Sequence, residues 1–163
     1  MPVEQSVFPV PSRSMAISID LDGTGVTACS TGIPFYDHML DQLGRHGGFD
    51  LTVKATGDLD IDTHHTVEDV AIALGEAFRE AVGDKAGIRR FASGLYPLDE
   101  ALVEVALDVS GRPFVAWDVD LPESLPLGNP AFDPQLAEHA VSSFATNAGL
   151  TLHVTKRAGP RSF

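Results

Sequence analysis

Apolar residues at helical spacing predict three helices in this chain. The apolar positions of each helix lie on one face, because residues three and four apart share a side of an α-helix. Pro34 suits the first turn of the first helix, while Gly47-Gly48 and Gly83 suit the ends of the first two. The three apolar faces are formed by Phe35, Met39, Leu40 and Leu43; by Val67, Val70, Leu74, Ala77, Phe78 and Ala81; and by Leu136, Ala140, Val141, Phe144 and Ala148.

Alternating apolar and polar residues predict strands between these helices. The predicted strands cover 15–20, a stretch after the turn at 21–25, 49–55, 101–109, 113–119 and 150–154. The segment 121–134 carries four prolines and is predicted to be a loop. The order is therefore strand, strand, helix, strand, helix, followed by strand, strand, helix, strand. Such an order indicates an α/β (α+β) fold.

The second half of this order repeats the first without its final helix. Asp37-His38-Met39-Leu40 matches Glu138-His139-Ala140-Val141 at an offset of 101 residues. The segment 48–53 matches 149–154 at the same offset without gaps. We predict a disordered leader over 1–14 and one domain over 15–163, a duplicated half-domain with repeat one at about 15–84 and repeat two at about 95–155. A chance resemblance between two ordinary helix–strand units is the alternative.

The composition excludes several classes of function. The formal charge is −12 and the isoelectric point about 4.6, so we expect no nucleic-acid and no membrane partner, whereas a small anionic substrate is compatible. No apolar run reaches the length of a membrane span, and 1–14 lacks the pattern of a secretory signal. The single cysteine, Cys29, excludes an intrachain disulfide and fits a cytoplasmic location.

The strongest chemical signal is the segment His64-His65-Thr66-Val67-Glu68-Asp69, at the predicted start of the second helix. His64 and Glu68 are four residues apart, so they share one helical face. Imidazole nitrogen with carboxylate oxygen suits manganese, iron or zinc. Adjacent histidines point about 100° apart on a helix, so His65 would serve a second metal or the substrate. A solvated helix N-terminus, with acids favoured by the helix dipole, is the alternative.

Further candidates are single residues with ordinary structural alternatives. His38, between Asp37 and Asp41, could be a metal ligand oriented by a carboxylate, and His139 is its repeat counterpart. His46 could contact substrate or cap a helix. Arg90 and Arg112 could hold a phosphate, because a guanidinium matches phosphate oxygens bidentately, although such arginines are more often salt-bridged at the surface.

Several blocks of the sequence together resemble the imidazoleglycerol-phosphate dehydratase family. The resemblance runs in order from about residue 16 to 154, and its most specific block is the one from His64 to Asp69. The resemblance implies two four-stranded sheets flanking a helical layer, a fold like ribosomal protein S5 domain 2. The resembling blocks are 31–40, 46–51, 64–69, 87–91 and 107–113.

The family resemblance also implies an activity, a cofactor and site residues. The activity is dehydration of imidazole glycerol phosphate to imidazole acetol phosphate in histidine biosynthesis, with two Mn²⁺ per site and twenty-four subunits in a homo-oligomeric shell. Glu68 is the carboxylate within the motif that we nominate to move a proton, so it is the catalytic candidate. The implied metal ligands are His38, His64, His65, Glu68 and His139, and the implied substrate contacts are Gln42, His46, Arg90 and Arg112.

Two departures from the family pattern lead us to expect a C-terminally truncated or frameshifted member with impaired activity. Ser12 stands where the family carries a glutamate that reaches the substrate. The second His-His-x-x-Glu block and the phosphate-binding lysine of the family would begin at position 165 by the repeat offset, beyond Phe163. A non-catalytic relative that only binds metal or only assembles is the alternative function. A hydrolase with a His-His-x-x-Glu site is a third, but it needs no duplicated His38 and His139.

Overall fold

The computed structural model describes residues 3–10, 13–121 and 125–159, with side chains from residue 14 onwards. Eight strands and three helices lie in this part of the chain. None of its helices is long and apolar enough to cross a membrane. The strands are β1 Val3–Val10, β2 Arg13–Asp20, β3 Thr27–Ser30, β4 Asp50–Thr56, β5 Phe91–Leu98, β6 Ala101–Asp108, β7 Phe114–Asp118 and β8 Thr151–Ala158, and the helices are α1 Pro34–Gly47, α2 His64–Val82 and α3 Leu136–Ala148.

The strands form two mixed sheets with the same internal topology. The first sheet has the order β1-β2-β4-β3 and the second the order β5-β6-β8-β7. In each sheet the first three strands are antiparallel, and the last strand runs parallel to its neighbour. Each half also has one helix between its third and fourth strands along the chain. The predicted α/β class is confirmed, and the two halves correspond strand by strand.

The helices connect the two sheets. Helix α2 packs on β2 of the first sheet and, along its other side, against α3. Helix α1 packs on β3, and α3 packs on the corresponding strand β7. Phe78 of α2 and Phe144 of α3 meet with ring centroids 5.7 Å apart and belong to the margins of both apolar cores. This α2–α3 crossing is therefore the junction between the halves.

The first strand of each half, β1 or β5, differs from the prediction. Residues 1–14 were expected to be a disordered leader, but Val3–Val10 forms β1 and pairs with β2, and β2 begins at Arg13. Strand β5 was not predicted from the pattern of apolar and polar residues. Seven of its eight residues are exposed, so no burial pattern marks it, and its backbone is held by antiparallel pairing with β6. Ser12 and residues 160–163 lie outside the described residues.

The start of α1 is fixed by side-chain hydrogen bonds that position the predicted ligand His38. Oδ1 of Asp37 accepts hydrogen bonds from the backbone N–H and the hydroxyl of Thr31, at 2.7 and 2.6 Å. Thr31 is fully buried, so these bonds satisfy polar groups that water cannot reach. At the other end, Gly48 adopts a φ of 74° and stops the helix.

Candidate metal centre

The site is built on the first turn of α2, which begins at His64 as predicted. The side chain of Asp62 accepts a hydrogen bond from the backbone N–H of His64, one of the unsatisfied donors at a helix N-terminus. The Thr63 hydroxyl donates to the carbonyl of Ala131 at 2.8 Å. These two contacts fix the helix start and attach it to the loop that precedes α3.

Three side chains from two helices converge at this point. Ligand atoms of His64, Glu68 and His139 all lie within 4.8 Å of one another. Nε2 of His139 is 3.2 Å from Oε1 of Glu68, and the rings of His64 and His139 meet edge to face at 4.5 Å. The four-residue spacing of His64 and Glu68 places both on the side of α2 that faces α3. The α2–α3 crossing supplies His139, which is 101 residues from His38 and 71 from Glu68 in sequence.

The donor set and its surroundings fit a divalent metal ion. Nε2 of His139 is buried and has no hydrogen-bond partner, although Glu68 lies nearby. A buried nitrogen whose contact with a carboxylate lacks hydrogen-bond geometry is better satisfied by a ligand that both groups can share. Two imidazole nitrogens and one carboxylate oxygen are ligands that manganese, iron and zinc accept. His64, Glu68 and His139 could therefore hold such an ion.

An open cleft with an acidic wall adjoins this cluster. Its volume is 660 Å³, and its lining includes His64 together with Asp60, Asp62 and Asp133. The three carboxylates disfavour the approach of a bare anion and favour a cation. A divalent cation therefore suits this wall of the cleft better than a bare anion does.

Two predicted metal ligands lie outside the cluster. His65 is exposed, and its ring centroid is 5.9 Å from that of His64, with the two rings inclined by 26°. His38 is exposed on α1, in the position that corresponds to His139 on α3. Within the described residues, the group of His64, Glu68 and His139 is the one that gathers three ligand atoms.

The predicted substrate contacts form two separate groups. Gln42 and His46 are one turn apart on α1 and share a hydrogen bond of 2.9 Å between Oε1 and Nε2. Arg90 donates two hydrogen bonds to Asp108, at 2.6 and 2.8 Å. This pairing lowers the pKa of the Asp108 carboxyl below its ordinary value, and nearby Arg112 contributes to the shift.

Asp108, the partner of Arg90, and Asp133, in the wall of the cleft, are charged residues that the sequence reasoning did not single out. Asp108 lies within the block 107–113. Its partner Arg90 directly precedes β5, and Asp108 ends β6, so the antiparallel pairing of these two strands brings the two residues together. Asp133 is brought to the cleft by the proline-rich loop, whose path no periodic pattern predicts.

Comparisons with known proteins agree on one family. The family model of imidazoleglycerol-phosphate dehydratase matches residues 31–162. The imidazoleglycerol-phosphate dehydratases of Dinoroseobacter shibae and Acidothermus cellulolyticus are 57% and 54% identical to the chain, over 91% and 90% of its length and 74% and 69% of theirs. The crystal structure of the Staphylococcus aureus dehydratase covers 98% of the chain, and the chain covers 86% of it, with a TM-score of 0.84 and 31% identity. The chain belongs to the imidazoleglycerol-phosphate dehydratase family, hydro-lyases of histidine biosynthesis.

Proposed function

We propose that this chain converts imidazole glycerol phosphate to imidazole acetol phosphate at a manganese centre that includes His64, Glu68 and His139. The observation that carries the proposal is the convergence of these three side chains, with Nε2 of His139 3.2 Å from the Glu68 carboxylate, in a chain 57% identical to a dehydratase over 148 residues. Elimination of water breaks a C–O bond on one carbon and removes a proton from its neighbour. The resulting enol then becomes the ketone.

The residues of the cluster have separate tasks in this reaction. His64 and His139 would hold the metal ion through neutral imidazole nitrogens, and Glu68 through a carboxylate oxygen. A bound Mn²⁺ would supply the positive charge that stabilises the substrate imidazole as an anion. Glu68 is the carboxylate of the cluster, so we assign to it the transfer of the proton that leaves carbon.

The phosphate group of the substrate requires cationic side chains that the cluster does not contain. Arg112 lies near the C-terminal end of α3, where Gly111 donates a backbone hydrogen bond to Gly149 at 2.9 Å. His139 lies in the first turn of that helix, ten residues before Gly149. Ten residues of α-helix span about 15 Å along the axis. We therefore propose that Arg90 and Arg112 of one subunit serve the centre of another within a homo-oligomer, for which the family shell of twenty-four subunits is the expectation. Gln42 and His46 would line the same substrate site.

The two-metal chemistry of the proposal requires more ligands than the cluster provides. His38 and His65 are the remaining candidates, and each stands apart from the three converging ligands. We propose that the 163-residue polypeptide tested alone turns over slowly, because a centre with three ligands holds one ion weakly. A non-catalytic role, metal-binding or assembly-only, is the competing proposal, and the grouping of three ligand atoms without His38 favours it.

The metal centre is tested by replacing one ligand. His139→Gln should weaken Mn²⁺ binding by at least about tenfold, measured by calorimetric titration of the metal alone. His153→Gln is the matched control, because His153 is exposed on β8 and its ring meets that of Phe114, 5.8 Å between centroids, away from the cluster. Equal Mn²⁺ affinities in the wild type and the His139→Gln variant would refute the centre.

The reaction is tested separately by incubating imidazole glycerol phosphate with the purified chain and excess Mn²⁺. Formation of imidazole acetol phosphate, lost in Glu68→Gln and retained in His153→Gln, supports the dehydratase proposal. Mn²⁺ binding without product would favour the assembly-only role. Turnover equal to that of the Dinoroseobacter shibae relative would refute the expected impairment.

A further inference from the structure

Arg90 lies directly before β5, and three neighbouring residues hold its side chain and its backbone. Its Nε and Nη2 donate hydrogen bonds of 2.6 and 2.8 Å to the two carboxylate oxygens of Asp108. Its Cζ lies over the ring of Phe91, 4.8 Å from the ring centroid. The Arg90 carbonyl accepts a hydrogen bond of 3.0 Å from the backbone N–H of Val109. The direction of the guanidinium is therefore set, although the side chain is 47% exposed.

The contact with Asp108 occupies one edge of the Arg90 guanidinium and leaves another edge open. The five N–H groups of a guanidinium lie in one plane, so Nε and Nη2 form one edge and the two terminal nitrogens form the next. Within the described residues, the side-chain hydrogen bonds of Arg90 are the two to Asp108. The edge formed by Nη1 and Nη2 thus keeps two parallel N–H donors. Two parallel donors match two oxygens of one phosphate group.

Asp108 is suited to be the fixed partner of this pair. It is the last residue of β6, lies opposite Phe91 in the β5–β6 pairing, and precedes Val109, which is buried in the second apolar core. The side chain of Asp108 is 18% exposed, much less than that of Arg90. The hydrogen bonds from Arg90 chiefly, with a contribution from the charge of Arg112, lower the pKa of the Asp108 carboxyl. Asp108 is therefore an ionised group, anchored in the sheet, at neutral pH.

We propose, on the basis of the phosphate role proposed above for Arg90, that Asp108 is a positioning residue that turns the open edge of Arg90 toward the phosphate group of the substrate. Both oxygens of Asp108 are engaged by Arg90, so Asp108 acts through the arginine and contacts no phosphate itself. Charge alone gives Asp108 the opposite effect, because a carboxylate repels a phosphate near it. The two effects differ in sign, and a substitution that removes the negative charge separates them.

Asp108→Asn keeps the size of the side chain but removes its charge and replaces one acceptor oxygen with an NH₂ group. The NH₂ group cannot accept a hydrogen bond from Arg90, so the guanidinium loses its two-point attachment. If Asp108 acts through its charge, this variant binds the phosphate group more tightly than the wild type does. If Asp108 positions Arg90, binding of the phosphate group weakens, and we expect a loss of at least about fivefold.

The contribution of the phosphate group is measured with two ligands that differ only in that group. Histidinol phosphate has the imidazole and the phosphate of the proposed substrate but no free hydroxyl on its carbon chain, so it cannot lose water. Histidinol is its dephosphorylated form. Calorimetric titration of the full chain in excess Mn²⁺ gives the Kd of each ligand. The phosphate preference is the Kd of histidinol divided by the Kd of histidinol phosphate.

Glu104→Gln is the matched control for the loss of a carboxylate–arginine pair. Glu104 lies four residues before Asp108 on β6, so the two side chains share a face of the sheet. The Glu104 carboxylate pairs with Arg157, so this control breaks an ion pair of the same kind without touching Arg90. The variant should keep the phosphate preference of the wild type. Thermal unfolding of each variant confirms that the fold is retained.

A lower phosphate preference in Asp108→Asn than in the wild type and in Glu104→Gln supports the positioning role. An unchanged or higher preference in Asp108→Asn would overturn it. Arg90→Gln separates this failure from a failure of the proposed function, because it removes the guanidinium itself and should lower the preference by at least about tenfold. A lowered preference in Arg90→Gln but not in Asp108→Asn keeps the phosphate role of Arg90 and removes the positioning role alone. An unchanged preference in Arg90→Gln would contradict both roles.

Discussion

The α2–α3 crossing depends on the absence of a side chain at Gly75, and Gly75→Ala is expected to destabilise the protein. A Cβ built at this position would lie 2.5 Å from the carbonyl oxygen of Phe144, 2.9 Å from Cβ of Asn147 and 3.0 Å from the backbone nitrogen of Ala148. Two of these three atoms belong to the backbone of α3, so no side-chain rotation relieves the contacts. The helices would have to separate.

Two opposing contributions decide whether Gly75→Ala raises or lowers the free energy of unfolding. Alanine in place of glycine within a helix normally stabilises by about 1 kcal/mol. Relief of the shortest contact to an ordinary separation of 3.4 Å requires a displacement of 0.9 Å between the helices. Overpacking of this kind typically costs about 1–3 kcal/mol, and here it also loosens the contact between Phe78 and Phe144 across the crossing. Because the backbone of α3 cannot rotate away, we take the upper end of that range, and subtracting the gain in helix propensity leaves a net loss of about 2 kcal/mol.

Urea denaturation followed by circular dichroism at 222 nm measures this change in the free energy of unfolding. Thr146→Ala is the control, because Thr146 is exposed on α3 and its replacement changes helix propensity with little change in packing. It should stabilise by a few tenths of a kcal/mol. A Gly75→Ala variant as stable as the wild type, or more so, would show that the close crossing is not a constraint on the fold.

Two further predictions concern charged and titratable groups outside the metal centre. Asp50 accepts backbone hydrogen bonds from Thr24 and Val26, which lower the pKa of its carboxyl. Asp50→Asn should therefore lower the urea midpoint at pH 7. The difference from wild type should be fully present above the ordinary Asp pKa of about 4 and shrink progressively as the pH falls below it, through the depressed pKa of the folded state. Burial, assisted by the neighbouring Asp41, raises the pKa of the Cys29 thiol to about 12. Iodoacetamide at pH 8 should label Cys29 at least about a hundredfold more slowly in the native chain than in urea, and equal rates would contradict this environment.

The helices were predictable because each carries an apolar face and a backbone signal at its ends. Pro34 and Gly48 bound α1 almost where the sequence placed them, and Gly83 follows α2. Strand alternation succeeded for β4 and β8, whose buried residues lie at every second position. These elements were correct because their burial pattern follows directly from their own residues.

The edge strands were missed for a physical reason. Strand β5 is exposed on both faces, so no buried stripe marks it, and β1 lies at the edge of the other sheet. Both are held by backbone hydrogen bonds to the next strand along the chain, β6 or β2, and such pairing leaves no periodic pattern in the residues of the edge strand. From residue patterns alone each half had three strands, and only the family resemblance indicated four.

The metal centre was partly predictable. The four-residue spacing of His64 and Glu68 predicted two ligands on one helix face, and the repeat offset drew attention to His139. The sequence gives no spacing rule that joins His139 to His64, because that contact depends on how α2 crosses α3. The same dependence explains why His38, an equally plausible ligand by sequence, lies elsewhere.

The position of the centre couples ligand binding to the assembly of the two halves. His64 and Glu68 belong to α2, which completes the first half, whereas His139 begins the helix of the second. An ion bound by all three would therefore favour the docked arrangement of the helices over any separated one, in proportion to its concentration relative to its dissociation constant. The fully packed side of α2, with Val67, Val70 and Ala77 buried against the first sheet, keeps two ligands in place before the ion binds. The position of His139 relative to these two depends on the close approach of the helices at Gly75, so packing between the halves and the affinity for such an ion would be parts of one equilibrium.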